Sequence, residues 1–192
     1  PLPPRAALKS ERSTEARGAS GTLAFASEGS GEKTPPSPPL CGFSTKRNLE
    51  RNGVVFNEIA WMGSPGEAGT DREWVELKNH TDSAVALTGW QIVDKRNDIR
   101  IFFEKGDAIP AHSFYLLERG SDSAVPGIPA DKIYKGTLAN SDEGIRLFDS
   151  RCDFRDQVVA NPKWPAGDNE SRRTIERNLG NFDWHTSVAP GG

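Results

Sequence analysis

A chain of 192 residues, 35% of them hydrophobic and with 19 glycines and 14 prolines, has room for one domain of ordinary size and a tail, and is too polar on average to be compact throughout. A formal net charge of -3 gives no electrostatic drive toward nucleic acid or an anionic lipid surface, so nucleic acid is not an expected partner. No apolar run reaches the length of a bilayer span, and no charged start leads into an apolar core and a small-residue cleavage site, so neither membrane insertion nor a signal peptide is expected.

Residues 1–48 read as a disordered tail or linker. The first 40 residues hold seven of the 14 prolines and, as large apolar side chains, only Leu2, Leu8, Leu23, Phe25 and Leu40. Such a stretch cannot bury enough surface to offset its ordering entropy. Thr34 to Pro39 favours extended polyproline geometry, as a spacer or as a docking site for a Pro-binding module. A chain begun near Asn48 is therefore expected to fold as stably as the whole. With Pro1 first and Gly192 last, the sequence reads as a piece of something longer.

From about residue 49 to 192 the grammar changes to short apolar stretches between turn formers. Strands are predicted at 54–60, 74–78, 90–93, 99–103, 114–118, 144–148, 156–159 and 174–176, each rich in Val, Ile, Phe or Trp. No window keeps a helical period. Seven or eight short strands point to an all-β fold, two antiparallel sheets packed as a sandwich. In Trp74 to Leu77 the period of two puts Val75 and Leu77 on one face, as core, and Trp74 and Glu76 on the other. Trp90 and Ile92 share a face, with Trp90 a natural filler between the sheets.

Three clusters in fixed order carry a family resemblance: Val55 to Ala60 with Asn57 and Glu58, then Glu73 to Asn79 with Trp74 and Glu76, then Leu87 to Ile92 with Gly89 and Trp90. Leu138 to Asp149 and Asp156 to Val159 follow as a later hairpin. Together these resemble the lamin tail domain, an immunoglobulin-like sandwich of nuclear lamins and of many bacterial surface and secreted proteins. The run Asn57 to Gly63, with Trp164 to Gly167 and Ile175 to Arg177, is more similar to the bacterial members. The resemblance implies an accessory module without an activity of its own.

The residues of types that carry chemistry have structural readings beside the functional ones. Glu58, Glu73 and Glu76 include the types of a general acid-base pair, but hydrogen bonds to turn backbone or plain solvation are the simpler roles. His80, His112 and His185 lack any zinc spacing. Asp94, Asp98, Asp107, Asp122, Asp142 and Glu143 fall in loops, without the pattern of a calcium-binding loop, and read as solvated turn residues. Gly63 to Gly69 lacks the ending of a phosphate loop and reads as a flexible connection. Arg172, Arg173 and Arg177 near Trp164 suit a phosphate or glycan, or simply a strand with outward arginines.

Cys41 and Cys152, the only cysteines, lie shortly before the first predicted strand and in a late predicted turn. A disulfide between them is expected, the alternative being two free thiols. The expected function is thus a binding or display module of a surface or secreted protein. It would contact a protein, a glycan or the cell envelope through loops 61–72, 94–98 and 119–136, without a cofactor. The alternatives are a metal-dependent hydrolase or nuclease and a purely structural spacer.

Overall fold

The computed structural model describes residues 39–43, 53–66, 72–178 and 180–192. Most of the tail expected over 1–48 lies outside the described residues. Among those described, twelve strands occur: β1 Val54–Ala60, β2 Trp74–Asn79, β3 Val85–Ala86, β4 Gln91–Asp94, β5 Arg100–Phe102, β6 Ala108–Ile109, β7 Phe114–Arg119, β8 Lys132–Tyr134, β9 Gly144–Phe148, β10 Phe154–Val159, β11 Ile175–Arg177 and β12 Trp184–Thr186. They form a six-stranded sheet in the order β12-β11-β1-β2-β7-β8, a four-stranded sheet β10-β9-β4-β5, and a small β3-β6 ribbon. All pairings are antiparallel except β7 with β8. This is the expected immunoglobulin-like β-sandwich.

The period of two sorts the side chains. Opposite one another across the large sheet stand Ile175, Ile59, Val75 and Leu117, and beside them Phe56, Leu77 and Tyr115. The small sheet answers with Ile101, Ile92 and Leu147 in one row, and all of these belong to a single buried cluster. Every residue of β2 is buried, so the face carrying Trp74 and Glu76 is covered as well. Trp74 is 1% exposed, and Gly192 lies against it and Glu58.

Between the sheets β1 and β10 each carry a bulge, at Phe56/Glu58 and at Phe154/Asp156. The Asp156 carboxylate accepts the Phe56 N–H at 2.9 Å and the fully buried Arg177 guanidinium at 2.6 Å. Arg177 also donates to the Phe56 carbonyl and lies 4.0 Å from the Trp184 ring. Arg177 therefore points inward, which corrects the reading of an outward-facing basic cluster near Trp164. A buried cation must be paired, and the Asp156 bulge supplies the partner.

Trp90 also departs from expectation. It precedes β4, its N–H donates to the Leu87 carbonyl, and its ring is only half-buried at the edge of the core. The fully covered indole is Trp74 instead, because the large sheet has both faces covered at β2. Gly89 before it has φ 79°, and a Cβ there would come within 3.0 Å of the Ser150 Cβ, so the turn requires glycine.

Residues 39–43, expected within the tail, lie on the outer face of the four-stranded sheet. Cys41 is 2% exposed and is joined to Cys152 by a disulfide, as the sequence led us to expect. A chain begun near Asn48 would lose this layer, contrary to the expectation that nothing before it adds stability.

Candidate functional site

The registers place one set of loops at one end of the sandwich. β1 ends and β2 begins there, β7 and β8 run up to it, β4 ends and β9 begins there, and β10 ends and β11 begins there. Loops 61–73, 95–98, 120–131, 135–143 and 160–174 therefore gather at this end, although 67–71 lie outside the described residues.

Buried carboxylates brace these loops from below. Glu118, fully buried on β7, accepts the backbone N–H groups of Ser123, Ala124 and Val125 at 2.7, 2.7 and 3.0 Å. Glu73 accepts the Leu138 N–H at 2.8 Å and an Arg119 Nη1–H at 3.2 Å. Asp94 takes the N–H groups of Arg96 and Ile99, and Glu143 those of Ala139 and Gly144. Asp94 and Glu143 are fully buried, which corrects the reading of these two as solvated turn residues. A carboxylate with several N–H donors wrapped around it is stable out of water, and each such charge-assisted bond fixes a stretch of loop.

The loops are also tied to each other. The Ser64 hydroxyl donates to the Ala124 carbonyl at 2.7 Å, so the start of the Gly-rich connection is anchored rather than free. Thr137 N–H donates to Asp98 at 2.9 Å. Trp61 and Trp164 stack with centroids 6.0 Å apart, and the Trp164 indole donates to the Ala139 carbonyl at 2.9 Å. Burial, with the Glu73 carboxylate nearby, holds the Tyr134 hydroxyl well above its ordinary range. Replacing Glu118 by Gln removes part of the acceptor capacity under loop 120–131. We expect a loss of about 1.5–3 kcal/mol, with faster amide exchange at Ser123 to Val125 than elsewhere, and uniform exchange would disprove the bracing.

The sequence-singled residues separate into two groups. Glu58 stands opposite both Glu76 and Glu176 on the Trp74 face. Glu76 accepts the Asn57 side-chain amide at 2.8 Å, and Glu58 accepts the Thr174 hydroxyl. Glu73 is not part of that row, being committed to Leu138 and Arg119. Asn79 lies toward the other end, where its amide donates to the carbonyls of Ser83, Ile109 and Pro110 and its Oδ1 accepts the Thr81 N–H and hydroxyl. These are bonds that hold turns and neighbouring strands, and each of these side chains is engaged by at least one of them. Among the described residues no group of three or more His, Cys, Asp or Glu is placed to hold a metal ion.

Of the basic cluster that includes Arg177, Arg172 and Arg173 serve the loop end. Arg172 donates to the Met62 carbonyl, and Arg173 Nε–H to the Ser187 carbonyl at 2.6 Å. The histidines are scattered, with His112 at 2.8 Å from Asp82 and His185 at 3.3 Å from Glu176. The order and spacing of the β1, β2 and β4 clusters now stand on a sandwich in which each cluster has a structural task. The lamin tail domain model matches residues 49–164. The chain belongs to the lamin tail domain family. No curated protein matches it. A lamin tail domain is an immunoglobulin-like, non-enzymatic domain, and in this one buried carboxylates hold the loops at one end of the sandwich.

Two titrating groups at the opposite end give a pH signature. His80 packs edge-on to Phe182 at 5.8 Å, and burial, helped by Lys78, Arg177 and His112, holds its pKa below the ordinary 6.5. Burial raises Asp149, but hydrogen bonds from Arg155 and from the Asp153 and Arg151 backbone outweigh it and hold the carboxyl below 3.8. Both shifts favour the deprotonated form in the fold, so each contribution is present above the unfolded pKa and lost as pH falls through the folded one. Melting temperature should thus fall in two steps, one beginning as pH drops below about 6.5 and one below about 4. His80→Gln should remove the first and Asp149→Asn weaken the second; a flat profile between about pH 7 and 4 would contradict the His80 assignment.

Proposed function

We propose that this chain is a non-catalytic binding or display module of a larger surface or secreted protein of bacterial type. It contacts a protein, a glycan or the cell envelope through the loop end of the sandwich. The observation that carries this reading is the use of Glu73, Asp94, Glu118 and Glu143 as buried braces for loop backbone. Loops held in one conformation before binding lose little entropy on binding, which is the property a recognition surface needs. The same commitment occupies these carboxylates with structure rather than chemistry. The Cys41–Cys152 bond supports an oxidising compartment outside the cell.

The test uses the full chain against immobilised peptidoglycan and a glycan array. Charge reversal at the exposed loop-end residues Lys95 and Lys163 should weaken retention by about tenfold or more, while Lys105→Glu at the opposite end leaves it unchanged. Equal effects at both ends would reject the loop-end assignment, and failure to bind any probe would favour the spacer reading. Divalent-cation-dependent hydrolysis of nucleic acid, phosphate ester or glycan that vanished in Glu76→Gln would overturn the non-catalytic reading.

A further inference from the structure

The outer face of the four-stranded sheet holds a peptide by a built set of contacts. Along residues 39–43 the carbonyls of every second residue are taken by side chains from the sheet. Gln91 Nε2–H donates to the Pro39 carbonyl at 2.6 Å, Arg100 Nη1–H to the Cys41 carbonyl at 2.8 Å, and Arg146 Nη1–H to the Phe43 carbonyl. Gln91 Oε1 also accepts the Cys41 N–H at 3.2 Å. Arg100, Val93 and Arg146 form one row across β5, β4 and β9, so three strands contribute to the cradle. Cys41 enters an apolar cluster with Val93, Phe148 and Phe154.

The aromatic end is shaped too. The Arg146 guanidinium lies 4.3 Å from the Phe43 ring centroid and 5.1 Å from that of Phe154, and Gln157 fixes it by accepting its Nε–H at 3.1 Å. A Cβ at Gly144 would stand 3.2 Å from the Phe43 ring, so glycine leaves the space that the ring uses. The recognised ligand is an extended strand that offers carbonyls with a period of two, a small side chain inward at its centre and an aromatic ring at its end.

We propose that this face is a site for an extended peptide in trans, filled by residues 39–43 of a second copy when thiol–disulfide exchange opens the bond. The segment seated here is the ligand whose fit the structure shows, and every copy carries it. Leu40, within the seated strand, is 72% exposed, and Val159, paired with Gly144 beside the Phe43 ring, is 37% exposed, so apolar surface along the segment is open to a second copy. Nine residues separate Phe43 from Gly53 in the sequence, a reach of up to about 30 Å.

The exchange is balanced. A thiolate such as glutathione attacks Sγ of Cys152, the more exposed cysteine of the two, and Cys41 leaves as a thiolate. Cys41 of the second copy then attacks the mixed disulfide at Cys152 and returns the small thiolate. Two intramolecular bonds become two intermolecular ones, with no net oxidation, so protein concentration sets the outcome.

The test mixes unlabelled and heavy-isotope-labelled full chains in a glutathione redox buffer, with alkylation, digestion and mass analysis of the linked peptides. Cys41–Cys152 bridges joining light to heavy chains should appear in a dimer fraction and rise with protein concentration. They should fall about tenfold in an Arg100→Ala, Arg146→Ala chain. Should that variant not fold, a synthetic peptide of residues 38–44 with Ser in place of Cys41 should suppress the mixed bridges of the unaltered chain. Only light–light and heavy–heavy bridges, while glutathione is demonstrably entering the disulfide, would overturn the proposal. So would Cys41–Cys41 and Cys152–Cys152 bridges as frequent as Cys41–Cys152, or no suppression by the peptide.

Discussion

Breaking the Cys41–Cys152 bond is expected to lower the stability of the domain by about 4–5 kcal/mol, the chain-entropy value for so long a loop. The two cysteines are 111 residues apart, and the enclosed chain contains most of the sandwich, so the bond restricts nearly the whole unfolded ensemble. The native side adds to this. With the bond gone, residues 39–43 remain held only by Gln91, Arg100 and Arg146 and by the burial of Cys41 against Val93, Phe148 and Phe154. Urea unfolding of the double variant Cys41→Ser, Cys152→Ser against the unaltered chain, each without reductant, measures the loss. Beginning the chain at residue 49 should cost at least as much, since it removes the bond and the layer together. A change below about 1 kcal/mol in both would show that the cross-link spans a chain already restricted when unfolded.

The sequence pattern identified strands according to their length. β1 and β9 keep the predicted bounds because Val54–Ala60 and Gly144–Phe148 are long enough to show both apolar content and turn residues at each side. β3, β6, β8 and β12 were not expected. Val85–Ala86 and Ala108–Ile109 have two residues each, too few for any period. β8 exists because it lies parallel beside β7, a pairing created by loop 120–131 rather than by its own composition. The loop end was legible in part. Asp94 with the N–H of Arg96 is a side-chain turn two residues long, and the residue types suffice to suggest it. Glu73 with Leu138 spans 65 residues, and Glu118 gains its three donors only when loop 120–131 wraps over it. Loop acids look solvated in a sequence because the donors that bury them arrive from elsewhere in the fold. The same holds for Arg177, whose partner Asp156 sits on a bulge in another sheet.

The largest side-chain effect is expected at Trp74 and not at Trp90, although both stand in the clusters that mark the family. Trp74 is 1% exposed and belongs to the central cluster, on a sheet face where Ala60 and Glu118 are its direct cross-strand neighbours. Trp74→Ala should therefore cost about 3–5 kcal/mol, the transfer term plus a cavity that the two flanking strands cannot close. Trp90 is half-buried at the rim, with the Arg155 guanidinium 5.9 Å from its ring, and Trp90→Ala should cost about 1–2 kcal/mol. Trp74→Phe separates volume from polarity. The Trp74 indole N–H meets no acceptor among the described residues, so removing it relieves an unpaired buried donor while most of the apolar area stays. Its cost should stay below about 2 kcal/mol, well under that of Trp74→Ala. Chemical denaturation of the three variants decides the matter. A Trp90→Ala loss equal to or above that of Trp74→Ala would return Trp90 to the centre of the core, and a Trp74→Phe loss as large as Trp74→Ala would mean that the indole N–H has a partner after all.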